Sequence, residues 1–398
     1  VRLAVWAPLP PQPSGVADYV STLLVELARA VDVVAVVRDA ARNSAVAPAG
    51  VEVVARSDYD ARGVDLDIYH FGNHARFHGY MYSQIRRRPG ILVLHDPALP
   101  GFHHDLCGGY ASTLFCDEAR FDTPEVTSAW PVRYVDDRVE TDWLRLPLCR
   151  RLVEASQATI VHSRWVADTL TAHCPGARIV HRHHAATVVE DGAGRDEKGV
   201  VTFGAFGGIT PPKRTARVVE AFAAVHREAP RTRLVICGRA DVGETELAGV
   251  GQVVAGLGLA GSVLVRTDVP AAELTQLMAS CDATISLRWP TLGETSGPMM
   301  RAFGIGRIVI TSAVPQVREF DGRYCRLVPV GDGEHAGVVG AMRDVVADPV
   351  AARAAGEAAR DFVRREASFE VVASQYLELA DEVIATQVRS PGPALGRG

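Results

Sequence analysis

Lysine is almost absent from this chain: Lys198 and Lys213 stand alone among 42 basic residues, and arginine supplies the others. The bias reads as the mark of a GC-rich coding sequence rather than of a function. It still weighs against pyridoxal chemistry, which needs a Schiff-base lysine, and it directs attention to the two lysines that remain. Cysteine is also scarce. Seven are scattered at 107, 116, 149, 174, 237, 281 and 325, odd in number and without CxxC spacing. That excludes a disulfide framework and reads as reduced thiols of a cytosolic protein. No apolar run approaches the ~20 residues of a membrane span. The opening VRLAVWAP reads as a strand and a proline loop, not a signal peptide. Nor is either charge in excess: 42 basic against 47 acidic residues leave a net charge of −5, which argues against a dedicated nucleic-acid binder. The expectation is a soluble, cytoplasmic protein.

The 398 residues, 47% of them hydrophobic, are ample for two or three cores. In the first half, strands are expected at 2–7, 31–37, 67–71, 90–94, 158–162 and 178–180. Helices are expected at 16–30, 76–88, 138–155 and 164–173. Strands that are apolar on both faces and alternate with helices indicate a doubly wound parallel sheet. The stretch 101–137 has no clear period and reads as a long functional loop. Residues 190–199, EDGAGRDEKG, have the composition of a linker. The alternation then restarts, with strands at 200–205, 233–237, 262–265, 283–287, 307–310 and 325–328, and a helix at 215–225. Closing helices are expected at 357–365 and 370–386. The domain reading is therefore an N-terminal Rossmann-like domain at 1–190, a linker at 191–199 and a C-terminal Rossmann-like domain at 200–368. A closing helix at 369–388 and a disordered tail at 389–398 complete it.

Ligands of such folds bind beyond the carboxyl ends of the strands, and four segments there carry chemistry. In PPQPSGVADY, Gly15 opens a helix whose free N–H groups suit an anion; a plain proline turn capped by Ser14 is the alternative. His95-Asp96 follows the strand GILVL, so His95 can meet a polar substrate while Asp96 accepts from its ring. FGAFGGITPPKR places Gly204, Gly207 and Gly208 after a strand and Lys213 before a helix. It matches neither G-x-G-x-x-G nor a P-loop, yet bare backbone plus one lysine suits a phosphate. In LRWPTLGETSGPMMRAF, a buried-looking Glu294 precedes a helix start, where Thr295 or Ser296 can serve as N-cap, and Arg288 and Trp289 stand nearby. Eleven of the 13 histidines lie in the N-terminal half, including His70, His74 and His78 at four-residue spacing and the run His181-Arg182-His183-His184. Without accompanying cysteines or H-E-x-x-H, these read as hydrogen-bonding or surface groups rather than zinc ligands.

Taken in order, PSGVADYVSTLLVELA, Gly72-Asn73, LHD at Leu94, ATIVHSRWVADTL, FGGITPPKR, RLVICG, ELTQLMASCDATISLR, GETSG and SFEVVASQYLELADEV resemble the retaining, nucleotide-sugar-dependent glycosyltransferases of family 4. The resemblance covers nearly the whole chain. It implies an α/β GT-B fold, two Rossmann-like domains facing across a cleft with a C-terminal helix crossing back to the N-domain. It implies a UDP- or GDP-linked sugar as donor and no cofactor. The N-terminal domain lacks a basic amphipathic helix, so the expected acceptor is a small molecule such as an antibiotic or other secondary metabolite. Surface-polysaccharide or glycolipid assembly, or a non-catalytic nucleotide-sugar-binding subunit, stands as the alternative.

By position, Gly15 is implied at the donor diphosphate or sugar, His95 at the transferred sugar, Lys213 at the leaving diphosphate and Glu294 at the sugar hydroxyls. The backbone of Ser296 and Gly297 is implied at phosphate. Gly207, Gly208 and Thr295 complete the donor set. Arg239 and Arg288 are candidates to replace the family's arginine, whose place Gly208 takes. The second glutamate of E-x7-E falls at Ala302, or at Arg301 with a one-residue gap. Acceptor contacts are expected from Tyr19, Asn73, Asp96, His103 and His162. No metal is expected, because a lysine and helix dipoles can neutralise the leaving group, and no D-x-D-like carboxylate pair is seen. Neither a nucleic acid nor an integral membrane segment is expected.

Overall fold

The computed structural model describes residues 1–125, 134–135, 138–139, 142–190, 199–239, 244–320 and 322–389. The expected linker at 191–199 and tail at 389–398 lie almost wholly outside these residues. The chain divides into two units. The first holds Val1–His183, Leu292–Thr295 and the stretch from Phe369; the second holds His184–Thr291 and Ser296–Ser368.

The first unit runs β1 (Arg2–Trp6), α1 (Gly15–Leu27), β2 (Asp32–Val37), β3 (Glu52–Ala55), β4 (Leu66–Phe71), α2 (Ala75–Arg87) and β5 (Ile91–Leu94). It continues with α3 (Pro100–Cys107), α4 (Thr113–Asp122), β6 (Tyr134–Val135), β7 (Arg138–Val139), α5 (Arg150–Glu154), β8 (Ala158–Val161), α6 (Arg164–His173) and β9 (Ile179–His181). Seven strands form one parallel sheet in the order β3-β2-β1-β4-β5-β8-β9, while β6 and β7 pair antiparallel apart from it. Strands β4, β5 and β8 are buried at every position, as a sheet covered on both faces requires. Helix α1 buries Ala17, Tyr19, Val20, Leu23, Leu24 and Leu27, the three-and-four spacing of one apolar stripe.

The second unit runs β10 (Val201–Phe206), α7 (Thr215–Glu228), β11 (Thr232–Gly238), α8 (Glu244–Gly256), β12 (Val263–Thr267) and α9 (Ala271–Ser280). Then come β13 (Ala283–Ser286), α10 (Gly297–Ile305), β14 (Ile308–Ser312), β15 (Cys325–Val328), α11 (Glu334–Ala347) and α12 (Pro349–Phe362). Its six strands are all parallel, in the order β12-β11-β10-β13-β14-β15. Phe203, Phe222, Leu234, Ile236, Ile285 and Ile310 centre its core. Helix α13 (Phe369–Arg389) returns to the first unit and packs on α1, with the Phe369 ring 5.3 Å from that of Tyr19.

Two expectations fail for identifiable reasons. Among the described residues, the helix expected over 138–155 is confined to α5. Pro147 disfavours helical backbone in the residue before it, and Leu148 adopts φ +58°. The loop expected over 101–137 contains α3, started by Pro100 and ended by left-handed Gly108, and α4, capped by Ser112. Part of it, 126–133 and 136–137, lies outside the described residues.

D-x-D spacings do occur, at Asp58-Tyr59-Asp60 and Asp65-Leu66-Asp67, but both precede or open β4, at its amino end. Asp65 accepts from the backbone N–H of Arg2. Asp67, 1% exposed, accepts from Trp6 Nε1 and Tyr59 OH at 2.7 Å each and pairs with Arg88. That carboxylate is committed to holding β1, β4 and the end of α2 together. None of the seven cysteines is in a disulfide, and six are buried. Among the described residues, no helix is long and apolar enough to cross a membrane.

Candidate functional site

Each sheet reverses its strand order once: β1 lies between β2 and β4, and β10 lies between β11 and β13. At such a point the loops leaving two neighbouring strands diverge, and the crevice beyond their carboxyl ends admits a ligand. The candidate residues collect at these two places.

In the second unit, β10 is followed by Gly207, whose φ of +111° is left-handed and favours glycine. Its N–H donates to Cys237 O at 3.1 Å. A methyl group on Gly207 would lie 3.1 Å from Pro298 Cγ and 3.7 Å from Lys213 Nζ. The ammonium of Lys213 therefore rests above bare backbone, beside the first turn of α10. Lys213 closes a short 3-10 turn, Pro211–Lys213, and Arg214 follows at φ +55°. Arg214 Nε donates to Glu334 at 2.6 Å, and Glu334 is almost fully buried. This ion pair anchors the turn that carries the lysine.

Helix α10 begins after Ser296, whose Oγ accepts from Met299 N and lies 3.0 Å from Ser286 Oγ at the end of β13. A small recess between the two strand ends is lined by Gly207, Gly208, Lys213, Thr215 and Ser286 among others. One ammonium, a glycine backbone and a helix N-terminus converge here, an arrangement suited to phosphate oxygens. His184 adds to it, its ring lying 3.7 Å from a methyl group built on Gly297.

In the first unit, Tyr19 of α1, His70 of β4, His95 after β5 and His162 after β8 form one buried aromatic group. Ring centroids are 5.1 Å apart for Tyr19 and His95, 5.0 Å for His95 and His162, and 5.3 Å for His70 and His95. His70 Nδ1 and His95 Nε2 are 3.0 Å apart. His162 donates through Nδ1 to Arg182 O at 3.0 Å, and His78 donates through Nδ1 to His70 O at 3.0 Å. Burial pushes His70 down to about 3, with His162 and His78 adding a smaller effect. It pushes His162 down to about 4 against the opposing Arg182 hydrogen bond. Both rings are therefore neutral at physiological pH. Asn73 ties the loop after β4 to its neighbours, donating its N–H to Asp96 at 2.8 Å and accepting from Phe102 N at 2.9 Å.

The structure thus gathers Gly207, Gly208, Lys213, Ser296 and Gly297 in one unit and Tyr19, His95 and His162 in the other. Asp96 Oδ2 receives the Asn73 amide, and His95 Nε2 meets His70 Nδ1. Glu294 is half-buried rather than buried; its Oε2 accepts from Leu292 N at 2.8 Å, and the turn Leu292–Thr295 packs in the first unit. Thr295 donates to His162 O at 3.2 Å, so Ser296 is the N-cap.

His103 sits on α3 against Tyr82 and Phe102, 1% exposed and pushed down to about 4 by burial. Its ring is part of that packing and not of the Tyr19 group. Gly15 is exposed at the first position of α1, where an added methyl group would meet nothing. Arg239 and Arg288 follow β11 and β13, and Arg301 lies in α10. His70, His184 and Ser286 were not selected from sequence. The four-residue spacing of His70, His74 and His78 points to one helix, but His70 lies on β4 and His78 on α2, and His184 stands out only as part of the run 181–184.

Residues 198–348 match the family model described as glycosyl transferases group 1. No curated protein matches the chain. Among solved structures, the fold is similar to that of sucrose-phosphate synthase from Thermosynechococcus elongatus, at 17% identity over 97% of this chain and 99% of that one, TM-score 0.69. Anabaena HepE in complex with UDP and glucose is 13% identical over 96% and 99% of the two chains, TM-score 0.62. A glycosyltransferase from Rickettsia africae is 13% identical over 96% and 98%, TM-score 0.58. Two parallel α/β units, each with its own strand-order reversal, give this chain the GT-B fold.

Proposed function

We propose that this protein is a retaining glycosyltransferase that moves a sugar from a nucleotide-diphosphate sugar to a small-molecule acceptor. The observation that carries the reading is Lys213 Nζ held above Gly207 beside the first turn of α10. The match of residues 198–348 to glycosyl transferases group 1 supports it, as does HepE, solved with UDP and glucose. UDP-linked donors are therefore the first to test, and GDP-linked donors the second.

In this mechanism the bond from C1 of the sugar to the phosphate oxygen breaks, and the acceptor hydroxyl oxygen bonds to C1 on the same face. Its proton passes to the departing phosphate oxygen, which conserves charge and retains configuration. Lys213 and the amides that open α10 stabilise the negative charge as it grows, and they can do so without a metal ion. His95 and Glu294 orient the sugar through its hydroxyls. Tyr19, Asn73 and His162 belong to the acceptor, for which we favour an antibiotic or other secondary metabolite. The cytoplasm is the expected compartment.

The test is sugar release from UDP- and GDP-sugars, preceded by a thermal-shift panel of UDP, GDP, ADP and dTDP. A tight nucleotide raises the apparent stability. A shift with one nucleotide and turnover of its sugar supports the reading. Binding without turnover, acceptors included, identifies a nucleotide-sugar-binding partner subunit instead. That outcome would fit Ala302 and Gly208, which stand where an acid and an arginine are expected.

A further inference from the structure

We propose that His70 is a positioning residue that locks His95 in its Nδ1–H tautomer, making His95 a hydrogen-bond donor through Nδ1. The inference deepens the glycosyltransferase reading and rests on it only for the identity of the group that His95 meets. One proton lies between His70 Nδ1 and His95 Nε2, which are 3.0 Å apart. Two arrangements satisfy that contact. If His95 donates from Nε2, neutral His70 carries its own proton on Nε2. That nitrogen is fully buried and has no hydrogen-bond partner, so the arrangement strands an N–H donor, which folded proteins rarely tolerate. If His70 donates from Nδ1, its Nε2 is a bare lone pair beside the Tyr376 ring, which stacks at 6.4 Å. His95 Nε2 is then the acceptor, and its proton resides on Nδ1.

The rest of the local structure fixes this geometry. His95 N donates to Phe71 O at 2.9 Å, so the same strand end grips His95 through backbone and side chain. His78 donates to the carbonyl of His70, and register pairs His70 with Val93 of β5. Deep burial keeps the His70 ring neutral, as does His162 nearby. An imidazole in water exchanges freely between its tautomers. A locked Nδ1–H instead offers a sugar oxygen a donor at a set position and costs no reorganisation at the moment of transfer.

Nitrogen-15 NMR of the histidine-labelled full chain tests this without an enzyme assay. His95→Gln identifies the His95 signals by their loss. The expected result is His95 in the wild type with a protonated Nδ1 and a bare Nε2. His70→Asn retains an amide N–H near the place of Nδ1 and should preserve that pattern. His70→Phe fills the space without a donor and should give a mixed or Nε2–H population. A wild-type His95 protonated on Nε2 overturns the proposal, as does a His95 signal unchanged in His70→Phe. Where donor turnover is present, His70→Phe should lower kcat about tenfold, with His70→Asn restoring most of it. A locked tautomer in a protein that turns over no donor leaves this inference standing and refutes the enzymatic reading alone.

Discussion

Lys213 and Gly207 are fitted to each other: the ammonium lies 3.7 Å from where a side chain on Gly207 would begin. Neither residue alone makes a phosphate site. Replacing Lys213 by alanine should leave the fold intact and lower donor turnover by ~10²–10³, the usual effect of removing a group aimed at developing charge. Glu294→Ala should also lose orders of magnitude. Steady-state kinetics together with thermal unfolding check both, and near-wild-type activity in either variant would overturn the donor-site assignment.

Gly207→Ala should affect the same site through the backbone. A side chain at φ +111° is strained, and the added methyl group would crowd Pro298 at 3.1 Å. A loss of ~1–3 kcal/mol in stability is expected, together with weaker nucleotide binding. Calorimetric titration with UDP and a denaturant curve read the two effects separately.

Arg214→Met should destabilise the second unit by ~3–5 kcal/mol, because it leaves the Glu334 carboxylate buried without its cation. Replacing Glu334 by glutamine at the same time should recover part of that loss. Urea unfolding of the two variants measures the recovery, and equal stability of the single and double variants would argue against the pair as an anchor.

Stability should fall on mild acidification. His70 and His78 are held near 3, and His103 and His162 near 4, all by burial and all below the ordinary 6.5. Between about 6.5 and those values the unfolded chain takes up protons that the folded chain refuses. Stability therefore rises with pH in that window and is lost as pH falls through it, at up to ~1.4 kcal/mol per pH unit for each histidine. Urea midpoints at pH 7.5 and 5.0 should differ clearly in that direction.

Much of the fold was legible in the sequence because its strands are short unbroken apolar runs. ILVL, VVAVV and LAVW lie where their composition places them, and helix α6 matches its expected range. Edge strand β3 was missed, since EVVA is short and partly exposed. Helices α3 and α4 escaped because their apolar residues are few and interrupted by histidine and acid. Of the candidate site, the phosphate elements could be read because chemistry and local order coincide: glycines follow a strand and a lysine precedes a helix. The pairing of His70 with His95 could not be read, because 25 residues separate them and only the pairing of β4 with β5 brings their rings together. Ser286 and His184 are likewise placed by tertiary contacts, not by any pattern in the chain.

Helix α13 has a consequence for how this protein is made. Tyr19 and the rings around it are covered by Phe369 and Tyr376, which leave the ribosome after the whole second unit has been synthesised. The first unit, though it begins the chain, cannot finish folding first. During synthesis its histidine cluster stays open to solvent, and a nascent or truncated chain ending before Phe369 should expose that apolar surface to chaperones and proteases.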